Sequence, residues 1–143
     1  MSSKALQITD AMISLLTMPA MAGIGLGGVT IDPDYHYTTD DLPAIAVHPG
    51  DESVSDSVIG VIDRILAVKV RVLSSGSDAF YTGDALMTLA YSRVMSDLTL
   101  GGLTMDIKPQ GVKRGRDVLE FPVIVHELDF FIEYRTTTTS LEI

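Results

Sequence analysis

The segment Val58–Leu73 constrains this chain most. Within it, Leu66, Val68, Val70 and Val72 alternate with Ala67, Lys69 and Arg71. Successive side chains of a strand point to opposite faces, so this alternation predicts a half-buried strand with one wet face. Its apolar face must then be covered by other elements, which the rest of the sequence has to supply. Val58–Ile62 reads either as the start of the same strand or as a separate one.

Two segments have the spacing to provide that cover. Leu6, Thr9, Met12, Ile13 and Leu16 recur every three or four residues, with Ile8 and Leu15 widening the stripe. They predict a helix from about Ser3 to Met18, ended by Pro19, because the residue before a proline is pushed out of helical geometry. A second helix is expected after Ser77, a candidate N-cap, running to about Asp97. Phe80, Gly83, Met87, Ala90, Tyr91, Val94 and Leu98 fall on its apolar face. Glycine there costs about 1 kcal/mol relative to alanine. Its place on the stripe points to close backbone approach to the sheet, or else to a helix that starts later, with Thr82 as its cap.

The remaining strands are shorter signals. Val29–Ile31 follows the glycine-rich turn Gly23–Gly28. Ala44–His48 is opened by Leu42-Pro43 and closed by Pro49-Gly50. Leu103–Lys108 follows the helix and leads into a basic turn over 109–115. In the last segment Leu119, Phe121, Val123 and Val125 are apolar at odd positions, whereas Leu128, Phe130, Ile132 and Tyr134 are apolar at even ones. The change of phase predicts a bulge or break near Val123–His126. The order helix, strands, helix, strands predicts an α+β fold: a mostly antiparallel sheet with two helices packed on one face.

With 143 residues, the chain is the length of one domain, 1–143, and should bury roughly 68–70% of its unfolded surface. It has no cysteine, which excludes disulfides and thiolate metal sites and fits a reducing cytoplasm. No stretch approaches the roughly 20 apolar residues of a membrane span, and the first residues lack the pattern of a signal peptide. The expectation is a soluble, unprocessed protein with no membrane partner.

A net charge of −9 argues against broad nucleic-acid binding, which needs clustered Lys and Arg. The charge is also unevenly placed. No Lys or Arg occurs from Ala5 to Asp63, where Asp10, Asp32, Asp34, Asp40, Asp41, Asp51, Glu52, Asp56 and Asp63 all fall. Lys108, Lys113, Arg114 and Arg116 carry the opposite bias. Two solvated loops would explain this, as would acidic and basic patches that meet across a subunit boundary and set orientation.

Chemistry-bearing motifs are lacking. The Gly23–Gly28 run follows a helix and precedes a strand, the reverse of a phosphate-cradling loop, and no Gly-Lys-Ser or Gly-Lys-Thr follows. Asp32, Asp34, His36, Asp40 and Asp41 offer donors but not the glycine and terminal glutamate of an EF-hand loop. His36, His48 and His126 share no zinc-ligand spacing. No serine lies in a Gly-x-Ser-x-Gly context, and nothing singles out a catalytic pair among 19 acidic residues. The expectation is no enzyme, no catalytic residue, no cofactor and no metal.

Several short motifs then coincide. Asp41-Leu-Pro-Ala-Ile-Ala-Val47 is followed by the alternating strand Leu66–Val72 and the helix Asp84–Asp97. Leu98-Thr-Leu-Gly-Gly-Leu103 comes next, and Phe131-Ile-Glu-Tyr-Arg-Thr136 closes the last strand. In this order they resemble phage tail-terminator (tail-completion) proteins, the family of the lambda-like minor tail protein U, over nearly the whole chain. The resemblance implies a structural virion protein, made in the host cytoplasm, that forms a six-fold ring on the head-proximal end of the tail tube. Such a ring stops tube polymerisation. Its implied partners are further copies of itself, the tail tube protein, a head-completion or neck protein, and DNA that traverses the lumen without being read in sequence. A stopper or tube-related connector subunit shares this class, and a small regulatory or ligand-binding α+β protein is the reading from another class. Lys113, Arg114 and Arg116 match no motif of the family. As the only dense basic cluster in an acidic chain, they are the candidate inter-subunit or lumen-facing contact, with Asp32, Asp34, Asp40 and Asp41 as acidic counterparts.

Overall fold

The computed structural model describes residues 3–18, 21, 23–25, 28–31, 41–118 and 122–137, with backbone alone at 117 and 118. The helix stop at Pro19, the acidic loop with Asp32, Asp34, His36 and Asp40, and the apolar Leu119 and Phe121 lie outside the described residues.

Helix α1 (Lys4–Thr17) begins where Ser3 accepts a hydrogen bond from the Leu6 amide, an ordinary N-cap. It buries Ala5, Ile8, Thr9, Met12 and Leu16. Five strands follow: β1 (Val29–Ile31), β2 (Ala44–Val58), β3 (Val61–Ser74) and, after helix α2 (Ala79–Met95), β4 (Asp106–Val118) and β5 (Pro122–Thr137). They form one sheet in the order β1-β2-β3-β5-β4. The β1–β2 pair is parallel and the other three are antiparallel. The fold is therefore α+β with a mostly antiparallel sheet.

The alternation read from the sequence sets the layers. Leu66, Val68, Val70 and Val72 of β3 lie opposite Ile132, Phe130, Leu128 and His126 of β5. Together with Ile45, Val47 and Ile107, the apolar members of this face join the buried stripes of both helices in one core. The helices also bond directly, since Arg93 of α2 donates to the Leu16 carbonyl at 2.9 Å. This satisfies one of the orphan acceptors at the end of α1. After α2 the chain reverses at Leu100–Gly102, where three successive residues have positive φ (46°, 70° and 99°). Gly101 and Gly102 adopt this conformation without the Cβ penalty.

Three sequence expectations are corrected. The segment 109–115 is not a turn but the middle of β4, with a register shift between Pro109 and Gly111. Strand β2 does not close at Pro49-Gly50 but runs on to Val58, accommodated by register shifts at Pro49/Glu52 and Val54/Asp56. The apolar phase change in the last strand needs no bulge, because β5 pairs with β3 without interruption from Ile124 to Thr137. At that end of the sheet the second face is partly covered too. Val123 is buried there with Leu42 and Ala44, and Leu73 and Val125 pack against them. The phase changes because the buried face changes, not because the strand breaks.

Candidate assembly interface

Strand β4 lies on the edge of the sheet, so its outer backbone groups have no strand partner among the described residues. Its second half carries Lys113, Arg114 and Arg116, and the pleat splits them between faces. Arg114 lies opposite His126 and Arg116 opposite Ile124, on the helix side, whereas Lys113 lies opposite Glu127 on the open side.

Two of the three cations are held within the chain. Arg114 reaches Asp84 of α2 at 3.3 Å. Lys113 lies 3.5 Å from Asp129 and 4.0 Å from Glu127, and Arg71 donates to Glu127 at 2.8 Å. Burial alone would raise the Glu127 carboxyl, but the Arg71 hydrogen bond and the charges of Lys69, Arg71 and Lys113 hold it below the usual carboxylate range. Among the described residues, Arg116 has no acidic partner.

Shallow grooves flank this edge. On the open face one of about 290 Å³ is lined by Arg71, Leu73, Lys113, Val125 and Glu127. On the helix face one of about 320 Å³ lies between α2 and β4, lined by Ser77, Phe80, Arg114, Arg116 and Ile124. Phe80 is half exposed. The second groove thus has an apolar floor and a guanidinium rim, a combination that accepts an aliphatic side chain next to a carboxylate.

The acidic residues expected to face this cluster are placed differently. Asp41 stands at the same end of the sheet, just before β2, but β3 and β5 separate it from β4. That is roughly 14 Å at ordinary strand spacing. Asp32, Asp34 and Asp40 lie outside the described residues. Asp51, Glu52 and Asp56 lie at the opposite end, where residues 50–60 are exposed throughout. There β2 turns into β3 at Ile59-Gly60. Val58 and Ile59 are 61% and 104% exposed, a tip the sequence reading missed. The available signal was two apolar residues before a glycine, between two strands.

Beneath α2, His126 is fully buried, and neither ring nitrogen has a hydrogen-bond partner. Phe80 covers its edge with ring centroids 5.2 Å apart. Burial pushes its pKa below 6.5, Arg114 pushes the same way, and Asp84 opposes. The unfolded chain therefore takes up a proton that the folded chain resists. The His126 contribution is intact above pH 6.5 and is lost as the pH falls from there towards the folded value. Urea midpoints should drop across that window, and His126→Leu should flatten the drop; an unchanged slope would show another group to be responsible. Glu127, with a folded pKa below 4.5, adds its own loss only at lower pH.

Among the described residues no three His, Asp or Glu side chains gather as metal donors, and no helix is long and apolar enough to cross a membrane. No family model and no curated protein matches the chain. Among solved structures, it is similar to a chain from the virion of a native gene transfer agent particle. The TM-score is 0.54, with 17% identity over 93% of this chain and 90% of that one. At that identity the likeness establishes a shared fold from end to end.

Proposed function

We propose that this chain is a structural subunit of a phage-like virion, of the tail-terminator type, and not an enzyme. The observation that carries this reading is the fold likeness to a gene transfer agent virion chain, which covers nearly all of both molecules. Six copies form a ring on the head-proximal end of the tail tube. The ring stops tube growth and presents its other surface to the head-completion proteins, while DNA passes through the lumen without sequence recognition. Assembly takes place in the host cytoplasm. A cap works by matching a growing end without recreating it, whereas a head-to-tail contact that never closes grows indefinitely. The charge asymmetry supports the same reading, since an acidic arm and a basic edge at opposite ends of one subunit suit a directional contact.

The test is tube growth in vitro. Adding the purified chain to polymerising tail tube protein should arrest lengthening, with the chain bound at one tube end. Tubes that keep growing, or that bind the chain along their length, would remove the capping role.

A further inference from the structure

We propose that the tip of the β2–β3 hairpin of one copy, Val58 and Ile59 with Asp56 beside them, seats in the groove between α2 and β4 of the next copy. The proposal rests on the ring reading above and names the contact that builds the ring.

The two surfaces match in chemistry. The tip is the most exposed aliphatic feature among the described residues, with Ile59 fully out in solvent. The arm behind it carries Asp51, Glu52 and Asp56 and no cation from 50 to 60. The groove offers Phe80 and Ile124 as an apolar floor, Arg114 and Arg116 at its rim, and about 320 Å³, more than an isoleucine side chain needs. Asp84 neutralises part of Arg114, which leaves Arg116, unpaired among the described residues, as the cation to meet a carboxylate.

Their placement identifies the partner. The tip lies at the Val61 end of β3 and the groove at the Ser74 end. These ends are roughly 40 Å apart along the strand. The tip also extends from β2, whereas β4 is the opposite edge of the sheet beyond β5. One molecule cannot bring the two together, but two copies related head to tail can. Such a contact joins different patches on the two copies, so a suitable rotation closes it into a ring.

Direct strand addition at β4 is the competing use of this edge. Pro109 lacks an amide hydrogen, the register shifts between Pro109 and Gly111, and cations follow at 113, 114 and 116. Each feature discourages an incoming strand. The groove beside the edge, not the edge itself, is what receives the neighbour.

The chain has no cysteine, so introduced thiols report this contact alone. Ile59→Cys and Ser77→Cys are made in separate preparations of the full chain, mixed and oxidised. Mixed disulfide dimers should exceed tip–tip and groove–groove dimers by about tenfold, and both substitutions in one chain should give a ladder of covalent oligomers. Ile59→Asp and Arg116→Glu, both at exposed side chains, should each weaken association about tenfold or more, read by native mass spectrometry. Oligomers that form without an excess of mixed dimers would overturn the contact and leave the ring reading standing. A chain that stays monomeric and uncross-linked would also overturn the contact, and the tube-growth assay would then decide the capping role separately.

Discussion

Gly83→Ala is expected to destabilise the chain by about 2 kcal/mol, the middle of the range for overpacking a filled site. The direction is opposite to helix propensity, which favours alanine by about 1 kcal/mol at an interior position. The reason is local. A Cβ at position 83 would stand 2.5 Å from His126 Nδ1, 2.7 Å from its Cε1 and 2.8 Å from Ser74 Oγ. Neither neighbour can easily yield. His126 is fully buried on β5, and Ser74 is held by donating to the Ala79 carbonyl at 2.7 Å. Denaturant unfolding measures the loss, and unchanged or increased stability would refute the close approach. In a His126→Ala background the Gly83→Ala penalty should shrink by more than half, because the two sites share one space.

Reversing all three charges of the β4 edge, with Lys113→Glu, Arg114→Glu and Arg116→Glu, is expected to block ring assembly and particle completion. The cost to folding is smaller than the cost to assembly. The pairs lost, to Asp84, Asp129 and Glu127, involve cations that are 43% and 69% exposed, and exposed ion pairs contribute roughly 0–1 kcal/mol each. The new carboxylate at 113 would still face Glu127 and Asp129, so a melting curve must accompany the assembly assay. Arg116→Glu alone avoids this difficulty and should weaken assembly without lowering the melting temperature. Normal particles from the triple variant would show that the basic edge takes no part in assembly.

The features legible in the sequence were those governed by local periodicity. The even-numbered apolar run of β3 matched a single burial pattern, and so did the spacing of α1 at Ile8, Thr9, Met12 and Leu16, whereas Leu6 of the same stripe is exposed. Gly83 was legible because alanine is the better helix former on an apolar stripe, so a glycine there marks a neighbour too close for a Cβ. Long-range placement was not legible. Pro109, Gln110 and Gly111 form an ordinary turn composition, yet pairing with β5 draws them into a strand, and the register shift absorbs the misfit. Similarly, Pro49-Gly50 ends a strand by local rules, but pairing along the length of β3 carries β2 past it. The basic cluster was visible as composition. Its division between two faces of an edge strand depends on register, and so does its distance from the acidic arm. No local pattern encodes either.

The short motifs that suggested a resemblance in the sequence occupy structural positions. Ala44, Ile45, Ala46 and Val47 are the buried start of β2. Leu100–Gly102 makes the reversal before β4, and Tyr134 and Thr136 are buried at the end of β5. Burial first, and then the hydrogen bond to Glu52, push the Tyr134 hydroxyl well above its ordinary pKa. It therefore stays protonated and anchors the end of β5 to β2. These motifs specify the fold. The edge, the grooves and the hairpin tip lie outside these motifs, and the proposed assembly contacts lie there.

The most direct test of the capping role is electron microscopy of particles assembled in cells that lack this chain. A capping subunit predicts overlong tail tubes without heads, because nothing stops polymerisation. Tails of normal length that fail to join heads, or normal infectious particles, would contradict it.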